Sequence, residues 1–366
     1  MLIPAGERDG EWRRSKNLME DRRTVLVTGG AGFIGSHLCE ALLRRGDEVI
    51  CLDSFNRYYD PTIKRRNLAD VLSHERFHLI TGDIREALLV ERILGGGLAG
   101  SCACRIPAPT VVVHLAAMAG VRPSLADPGE YVDVDVRGTV NLLEAARACP
   151  GVNRFVFGSS SSVYGARDQV PFCETDPTEC QVSPYATAKK AGELYCRTYH
   201  ELYGLPVSVL RFFTVYGPRQ RPDMAVHRFV NLLKARKPIP LYGDGTSGRD
   251  YTYIEDCVQG ILCAMDSTTL PFEIYNLGSA RLVQLRELVR LIADCMSTKP
   301  TIEWLPPQRG DVPITLADIT RAREVLGYQP RTDIETGIES FVRWYESQAD
   351  RRITPGRRTE IGRTYL

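Results

Sequence analysis

Long apolar runs are missing from this chain of 366 residues, and none approaches the roughly 18 residues that a membrane-spanning helix needs. An excess of one charge sign is missing too, since 46 basic side chains balance 45 acidic ones. This balance gives no electrostatic footprint for nucleic acid or for an anionic membrane. The first 23 residues lack the apolar core of a signal peptide. We therefore expect a cytoplasmic protein with no nucleic-acid partner and no membrane insertion.

Cysteine pairs at metal-ligand spacing are also scarce. The chain has 11 cysteines, and Cys102 and Cys104 form the only close pair. No second pair lies at zinc-ligand spacing, so we predict no metal site. Cys39, Cys51 and Cys196 lie inside apolar stretches and are typical of small core residues. Reduced thiols are the simplest prediction for this pattern.

Short β-branched runs alternate with longer helical patterns through the middle of the chain. This alternation predicts an α/β fold, a doubly wound parallel sheet of the Rossmann type with helices on both faces. The predicted strands are Thr24–Thr28, Glu48–Asp53, Phe77–Thr81, Val111–Leu115, Arg154–Phe157 and Val207–Arg211. The predicted helices are Ser36–Arg45, Tyr131–Ala148, Pro184–Tyr203 and Gln284–Met296.

A glycine-rich turn follows the first strand. Gly29, Gly32 and Gly35 fit the G-x-x-G-x-x-G spacing, with Phe33 and Ile34 between the last two. Such a turn brings backbone N–H groups at a helix N-terminus close to a pyrophosphate. Asp53 ends the next strand, where an acid binds the ribose 2′-hydroxyl of NAD and repels the 2′-phosphate of NADP. The cofactor prediction is therefore NAD.

Two further segments border the predicted cofactor. Asp83 and Ile84 follow the third strand and are placed beside the adenine, although a loop-capping aspartate fits the sequence equally well. After the fourth strand come small residues that let the backbone approach the cofactor. The cofactor residues of this segment are Leu115, Ala116 and Ala117.

The chain divides into four predicted segments. Residues 1–22 form a disordered tail, and residues 348–366 form a flexible one. Residues 23–213, joined by the returning stretch 251–278, form the NAD-binding Rossmann domain. Residues 214–250 and 279–347 form a smaller C-terminal lobe for the substrate. Residues 95–109 are a loop insertion before the fourth strand.

Tyr185 and Lys189 are the first candidate catalytic residues. Their four-residue spacing places both side chains on one face of a predicted helix. A phenol holds its proton until pH ~10, and a neighbouring ammonium favours the phenolate, so the pair suits a base that takes a proton from an alcohol. Ser160 ends the fifth strand, at the sheet edge where ligands bind. Its hydroxyl can bond the same substrate alcohol, although a polar turn is the plainer interpretation of the serine run alone.

The glycine turn, Ser160 and the Tyr-x-x-x-Lys pair together resemble the extended short-chain dehydrogenase/reductase superfamily. The resemblance covers roughly Thr24 to Glu346 and is most similar to the nucleotide-sugar 4-epimerases, above all those of UDP-glucuronate. It implies Ser160, Tyr185 and Lys189 as catalytic residues. The segments that carry it are Ala119–Arg122, Arg211–Arg219, Arg221–Ala225, Gly243–Tyr253, Gly310–Val312 and Leu326–Tyr328.

Several positions bear on the substrate. The resemblance implies that Arg249 contacts the UDP diphosphate, and Thr214 stands where epimerases of neutral hexoses generally carry Asn. Arg221 offers a planar fork that suits a sugar carboxylate, and a surface loop arginine is the alternative. The complete set of predicted substrate residues is Arg122, Ser161, Ser162, Thr214, Arg221, Arg249 and Asp311.

The chain also departs from patterns within the superfamily. Ser161 and Ser162 occupy positions where dehydratases place Asp-Glu and where UDP-glucuronate decarboxylases tend to carry an acid. Asp135 stands where the family usually has Asn, near the expected cofactor, and Gln308 stands where several neutral-sugar epimerases have Arg. The serines argue against elimination and decarboxylation.

The resemblance implies NAD-dependent 4-epimerisation of a UDP-hexuronate, UDP-glucuronate to UDP-galacturonate, through a 4-keto sugar. The alternatives are a 4-epimerase of neutral UDP-hexoses such as UDP-glucose or UDP-N-acetylglucosamine, and a UDP-glucuronate decarboxylase. The resemblance further implies a homodimer that pairs the predicted helices Tyr131–Ala148 and Pro184–Tyr203 with those of a second subunit.

Overall fold

A seven-stranded parallel sheet forms the centre of the structure. The structure is a computed structural model, and it describes residues 23–98, 106–167, 169–306 and 312–351. The strands are β1 (Thr24–Thr28), β2 (Glu48–Asp53), β3 (Phe77–Thr81), β4 (Val111–His114), β5 (Arg154–Ser160), β6 (Val207–Phe212), β7 (Thr214–Tyr216), β8 (Ile239–Tyr242), β9 (Gly248–Tyr253), β10 (Phe272–Leu277), β11 (Leu282–Gln284), β12 (Ile302–Leu305) and β13 (Ile314–Thr315). The α-helices are α1 (Phe33–Arg45), α2 (Pro61–Asn67), α3 (Ala87–Leu94), α4 (Val121–Ala126), α5 (Pro128–Tyr131), α6 (Gly138–Ala148), α7 (Pro184–Tyr203), α8 (Ala225–Lys234), α9 (Ile254–Asp266), α10 (Leu285–Cys295), α11 (Thr320–Leu326) and α12 (Ile334–Arg351).

The central strands are apolar on both faces because helices cover both faces of the sheet. In β1, Val25 and Val27 pack into one core cluster and Leu26 packs into the other. All three side chains are fully buried. Continuous apolar runs of this kind are characteristic of parallel strands covered on both sides. The predicted α/β fold with a doubly wound parallel sheet is confirmed.

The order of the strands places a crevice at the carboxyl end of the sheet. The order is β10-β6-β5-β4-β1-β2-β3, so the chain leaves β3 at one edge and crosses back to form β4 beside β1. The connections that follow β1 and β4 therefore leave the carboxyl end of the sheet toward opposite faces, which opens a crevice between them. Ligands bind in such a crevice.

Three predicted helices and strands differ from the structure by more than one residue. Helix α1 begins at Phe33 rather than Ser36, because Gly32 is its N-cap. Strand β5 continues through Ser160, which carries the serine run into the crevice. The helix predicted over Tyr131–Ala148 is interrupted by a π-helical turn, Val132–Arg137. Such turns widen the helix locally and are frequent at functional sites.

The remaining strands build two smaller sheets. In the first, β9 pairs with β7, β11 and β13, and in the second β8 pairs with β12. Strand β10 instead joins the central sheet beside β6. The division of the chain into a Rossmann domain and a substrate lobe at the predicted residue numbers stays a prediction.

Within the described ranges, no helix combines the length and the apolarity needed to cross a membrane. Nine cysteines lie in these ranges, and all nine are free thiols. Cys102 and Cys104 lie outside the described residues, as do both predicted tails apart from the first residues of the second.

Candidate active site

A cavity of about 500 Å³ opens at the carboxyl end of the sheet and receives residues from both the central sheet and the smaller ones. Every predicted site residue within the described ranges lines this cavity, whereas Asp311 lies outside them. The predicted residues brought together are Gly29, Gly32, Phe33, Ile34, Gly35, Asp53, Asp83, Ile84, Leu115, Ala116, Ala117, Arg122, Ser160, Ser161, Ser162, Tyr185, Lys189, Thr214, Arg221 and Arg249.

The glycine turn has the close backbone packing that a pyrophosphate site needs. Gly29 has a positive φ of 69°, and a Cβ there would lie 2.8 Å from the backbone nitrogen of Ala116. A Cβ on Gly35 would collide with the carbonyl oxygen of Gly29. Gly32 caps α1 without a side-chain hydrogen bond, so the first N–H groups of the helix stay directed at the cavity. These residues fit the diphosphate of a dinucleotide.

Asp53 is held rigidly at the end of β2. Its two carboxylate oxygens accept hydrogen bonds from the backbone N–H groups of Ala31, at 3.1 Å, and Phe55, at 2.8 Å. Burial raises the pKa of Asp53, and Lys64, with its Nζ 3.8 Å from Oδ1, acts in the opposite direction. Asp53 therefore lines the cavity at the end of β2, and its contact with a ribose stays a prediction.

Asp83 both lines the cavity and caps its loop, whereas its place beside the adenine stays a prediction. It lines the cavity, and its Oδ1 accepts a hydrogen bond of 2.9 Å from the backbone N–H of Arg85. The Arg85 guanidinium also donates to both carboxylate oxygens. The loop-capping role therefore coexists with a position beside the cofactor cavity.

The serine run leaves β5 as a tight 3₁₀ turn. Ser160 Oγ accepts hydrogen bonds from the backbone N–H of Ser162, at 3.2 Å, and from its hydroxyl, at 3.0 Å. Ser160 also lies close enough to Tyr185 to lower the pKa of that phenol. The run is an ordered turn that places Ser160 against Tyr185.

Helix α7 positions Tyr185 and Lys189. Ser183 caps its N-terminus by accepting a hydrogen bond of 3.2 Å from the N–H of Ala186, so Tyr185 lies in the first turn, where the cavity begins. One turn later, Lys189 Nζ donates to the carbonyl of Gly158 at 2.9 Å. Gly192 lets α7 approach β5, because a Cβ there would collide with the Phe157 ring.

The pKa of Tyr185 is raised, contrary to the expectation that Lys189 lowers it. Burial is the largest cause, and the negative charge of Asp135 adds to it. The hydrogen bond from Ser160 and the positive charge of Arg221 act in the opposite direction. Lys189 is itself buried, which lowers its pKa. The physical reason for the correction is desolvation, which disfavours the phenolate more than its neighbours favour it.

The fork of Arg221 is already occupied, which corrects the prediction of a free bidentate site. Its Nε and Nη2 donate to the two oxygens of Asp223 at 3.0 and 2.9 Å. Its guanidinium lies 5.3 Å from the centre of the Tyr58 ring. Asp223 lies only two residues after Arg221, so its carboxylate reaches the guanidinium. Asp223 accepts no hydrogen bond from the third nitrogen, Nη1.

The other predicted substrate residues lie around the cavity without forming one cluster. Arg249 Nη1 donates to the carbonyls of Gly248 and Pro313, at 2.9 and 3.2 Å. Arg122 lies 5.2 Å from the centre of the Tyr242 ring. Thr214 begins β7, and only Phe213 separates it from the end of β6. Their roles toward a substrate stay predictions.

Sequence reasoning missed the aromatic side of the cavity and the buried support beneath it. Tyr58 lines the cavity, and its hydroxyl oxygen is buried with no hydrogen-bond partner among the described residues. Beneath the serine run, Glu193 accepts a hydrogen bond of 2.6 Å from Ser159 and two of 2.9 Å from Arg211. No spacing in the sequence signals either feature, because tertiary packing creates both.

Comparison with known proteins identifies the family. Residues 25–278 match the NAD dependent epimerase/dehydratase family. The chain belongs to this family. It is 42% identical over 340 residues to UDP-glucuronate 4-epimerase 1 of Arabidopsis thaliana, covering 88% of this chain and 77% of that protein. It is 39% identical over 320 residues to the UDP-glucuronate 4-epimerase of Thermodesulfobacterium geofontis, covering 87% of this chain and 95% of that one.

A solved structure shares the fold of this epimerase/dehydratase family member. The UDP-glucuronic acid 4-epimerase of Bacillus cereus, in complex with UDP-glucuronic acid and NAD, superposes with a TM-score of 0.82 at 34% identity. The match covers 89% of this chain and 99% of that one. The cofactor of the family is NAD. It fits the glycine turn, Asp53 and the N-terminus of α1, which has no side-chain cap.

Proposed function

We propose that this protein is an NAD-dependent UDP-glucuronate 4-epimerase, which converts UDP-glucuronate to UDP-galacturonate through a transient 4-keto sugar. The observation that carries the proposal is the convergence of Ser160, Tyr185 and Lys189 with the glycine turn and Asp53 on one cavity. The identity with the plant and bacterial UDP-glucuronate 4-epimerases supports the choice of substrate.

The residues divide the chemistry between them. The contribution of bound NAD is to accept the C4 hydride and to return it to the opposite face of that carbon. Tyr185 takes the proton of the sugar O4, holds it while the 4-keto sugar turns in the cavity, and gives it back. Ser160 orients the hydroxyl that reacts. Lys189 bonds the Gly158 carbonyl and so fixes the first turns of α7 against β5.

The carboxylate of the substrate imposes a second task. A 4-keto hexuronate is a β-keto acid and loses carbon dioxide readily, so its carboxylate has to be held while the ring turns. We assign this role to Thr214, Ser161 and the Nη1 of Arg221, the nitrogen of that side chain that takes no part in the two hydrogen bonds to Asp223. Ser161 and Ser162 are not acids, so the turn lacks the groups that would protonate and expel a hydroxyl.

Separate incubation of the purified protein with UDP-glucuronate, UDP-glucose and UDP-N-acetylglucosamine tests the proposal. We expect UDP-galacturonate from the first, with no net NADH and no carbon dioxide. Conversion of UDP-glucose at an equal or higher rate would contradict the substrate, and release of carbon dioxide would indicate a decarboxylase. Tyr185→Phe should lower the rate by roughly 10²–10⁴-fold, whereas Tyr345→Phe, at a tyrosine of α12 outside the cavity, should leave it unchanged.

We also propose a homodimer as the working form. Helix α7 leaves four large apolar side chains exposed: Leu194, Tyr195, Leu202 and Tyr203. A second copy that packs its own α6 and α7 here would cover them.

A cytoplasmic location is supported by the nine free thiols of the described residues.

A further inference from the structure

Asp135 is a buried acid beside the catalytic pair. It lies in the π-helical turn and is 3% exposed. Its Oδ1 accepts a hydrogen bond of 2.6 Å from the N–H of Met118. Its Oδ2 is buried with no hydrogen-bond partner among the described residues. An unpaired buried polar atom costs roughly 1–3 kcal/mol, and more when it is charged, so this oxygen requires an explanation.

The backbone at Asp135 is fixed by the central sheet. The Thr139 hydroxyl donates to the carbonyl of Asp135, and His114 Nε2 lies 3.0 Å from the same hydroxyl. His114 Nδ1 in turn lies 2.8 Å from Thr28 Oγ1. These contacts tie the π-helical turn to β4 and β1, so the position of Asp135 does not depend on its own carboxylate.

Four ionisable groups act on the Asp135 carboxyl or respond to it. From α7, the positive charge of Lys189 lowers the pKa of Asp135, and Asp135 raises the pKa of both Lys189 and Tyr185. From α5, Glu130 raises the pKa of Asp135, and Asp135 raises the pKa of Tyr131. The rings of Tyr131 and Tyr185 lie 6.2 Å apart, so the π-helical turn starts directly against the proposed base.

We propose that Asp135 is a positioning residue of the catalytic pair: its carboxylate offsets the charge of Lys189 and opposes the phenolate of Tyr185. This role rests on the proposed function of Tyr185 as the base. The pKa of Tyr185 then depends on Asp135 as well as on Ser160 and Arg221. Asp135 touches no reacting atom in this account and acts only through its neighbours.

The sign of the effect follows from the two protonation states of Asp135. Burial raises its pKa to about 6, so the group is ionised above that pH and neutral below it. While ionised, it raises the pKa of Tyr185 and so delays phenolate formation to higher pH. Removal of this charge should therefore move the ionisation of Tyr185 to lower pH.

The test is a pH titration of the NAD-loaded protein by the ultraviolet absorbance of the phenolate. The share of Tyr185 is identified by subtraction of the Tyr185→Phe curve. In Asp135→Asn, an uncharged residue of the same shape, we expect the Tyr185 midpoint to fall by roughly half a unit or more. The acid limb of the kcat profile should move in the same direction.

Asp133→Asn is the matched control. Asp133 lies on the same π-helical turn, but its side chain is 46% exposed and pairs with Arg137 at 3.3 Å. Its loss removes the same charge from the surface and should leave the midpoint of Tyr185 in place. Asp135→Ser provides a second, smaller neutral variant, in case the Asn variant folds poorly.

Two results would overturn the proposal. One is an unchanged Tyr185 midpoint in folded, NAD-loaded Asp135→Asn or Asp135→Ser, and the other is an equal shift in Asp133→Asn. The titration contains no sugar, so it is independent of the substrate. A shift without turnover of UDP-glucuronate would retain the role of Asp135 and reject the substrate assignment.

Discussion

At the scale of single residues, the sequence predicts some of the groups that line the cavity but not how those groups interact there. Tyr185, Lys189 and Ser160 were predictable because their spacing and their places on a helix and a strand end carry the chemistry. The Arg221–Asp223 pair and the raised pKa of Tyr185 were not, since both depend on burial and on which neighbours the fold supplies. A motif specifies which groups meet, but burial decides their charge.

Tyr58 gives the residue-scale prediction. Its hydroxyl is buried and unpartnered among the described residues, and its ring supports the Arg221 guanidinium. We propose that this hydroxyl donates to the sugar carboxylate beside Arg221, so Tyr58→Phe should keep the ring contact but lose that hydrogen bond. A hydrogen bond to a charged group contributes roughly 1.5–3 kcal/mol, so KM for UDP-glucuronate should rise about 10-fold or more with little change in kcat.

The control for this prediction is the neighbouring phenol. Tyr59→Phe removes a hydroxyl from a ring that lies 6.4 Å away and should change KM much less. The KM of any residual reaction with UDP-glucose should not respond to Tyr58→Phe, because that sugar has no carboxylate. An equal rise for both sugars would show that Tyr58 supports the cavity in general rather than the carboxylate.

At the scale of elements, strands β1 to β3 and helix α7 have the bounds that the sequence predicts. Their ends are marked by strong local signals, such as Ser183 and Pro184 before α7. The π-helical turn has no such signal, because Val132 and Val134 continue the apolar pattern of a helix. Its extra width depends on packing against α7 and the sheet, and only the structure reveals it.

The Glu193–Arg211 pair gives the element-scale prediction, since it locks α7 to β6 beneath the serine run. Both side chains are 2% exposed, and Ser159 shares the carboxylate. Glu193→Gln should leave the Arg211 charge buried without its counter-ion and lower the free energy of unfolding by roughly 3–5 kcal/mol. Urea denaturation measures this loss.

The same helix supplies the control for that measurement. Glu201 pairs with Arg197 at 3.2 Å, with side chains 61% and 57% exposed. An exposed pair contributes little, so Glu201→Gln should change the free energy of unfolding by less than about 1 kcal/mol. A loss in Glu193→Gln no larger than that in Glu201→Gln would mean that water or a rearranged partner compensates Arg211.

At the scale of the whole molecule, the sequence predicted the parallel sheet and a return of residues 251–278 to it, a stretch that contains β10, but not the pairing of the other late strands. Strand β10 returns to the central sheet, whereas β7, β9, β11 and β13 form a sheet of their own. Strands β7, β9, β11 and β13 are short or polar, and no spacing within them indicates which strands they pair with. Long-range pairing decides this distribution, and it also decides which helix faces remain uncovered.

The uncovered face of α7 gives the whole-molecule prediction. Leu194 and Leu202 are 56% and 66% exposed, a cost in apolar surface that a second copy would remove. Light scattering should therefore give twice the 40.9 kDa mass of one chain. Leu194→Glu combined with Leu202→Glu should place charges in the shared face and halve that mass without loss of helical circular dichroism. Trp304→Glu, equally exposed on β12, should stay dimeric. A monomeric wild-type protein, or a dimer that survives both α7 substitutions, would exclude this face as the interface.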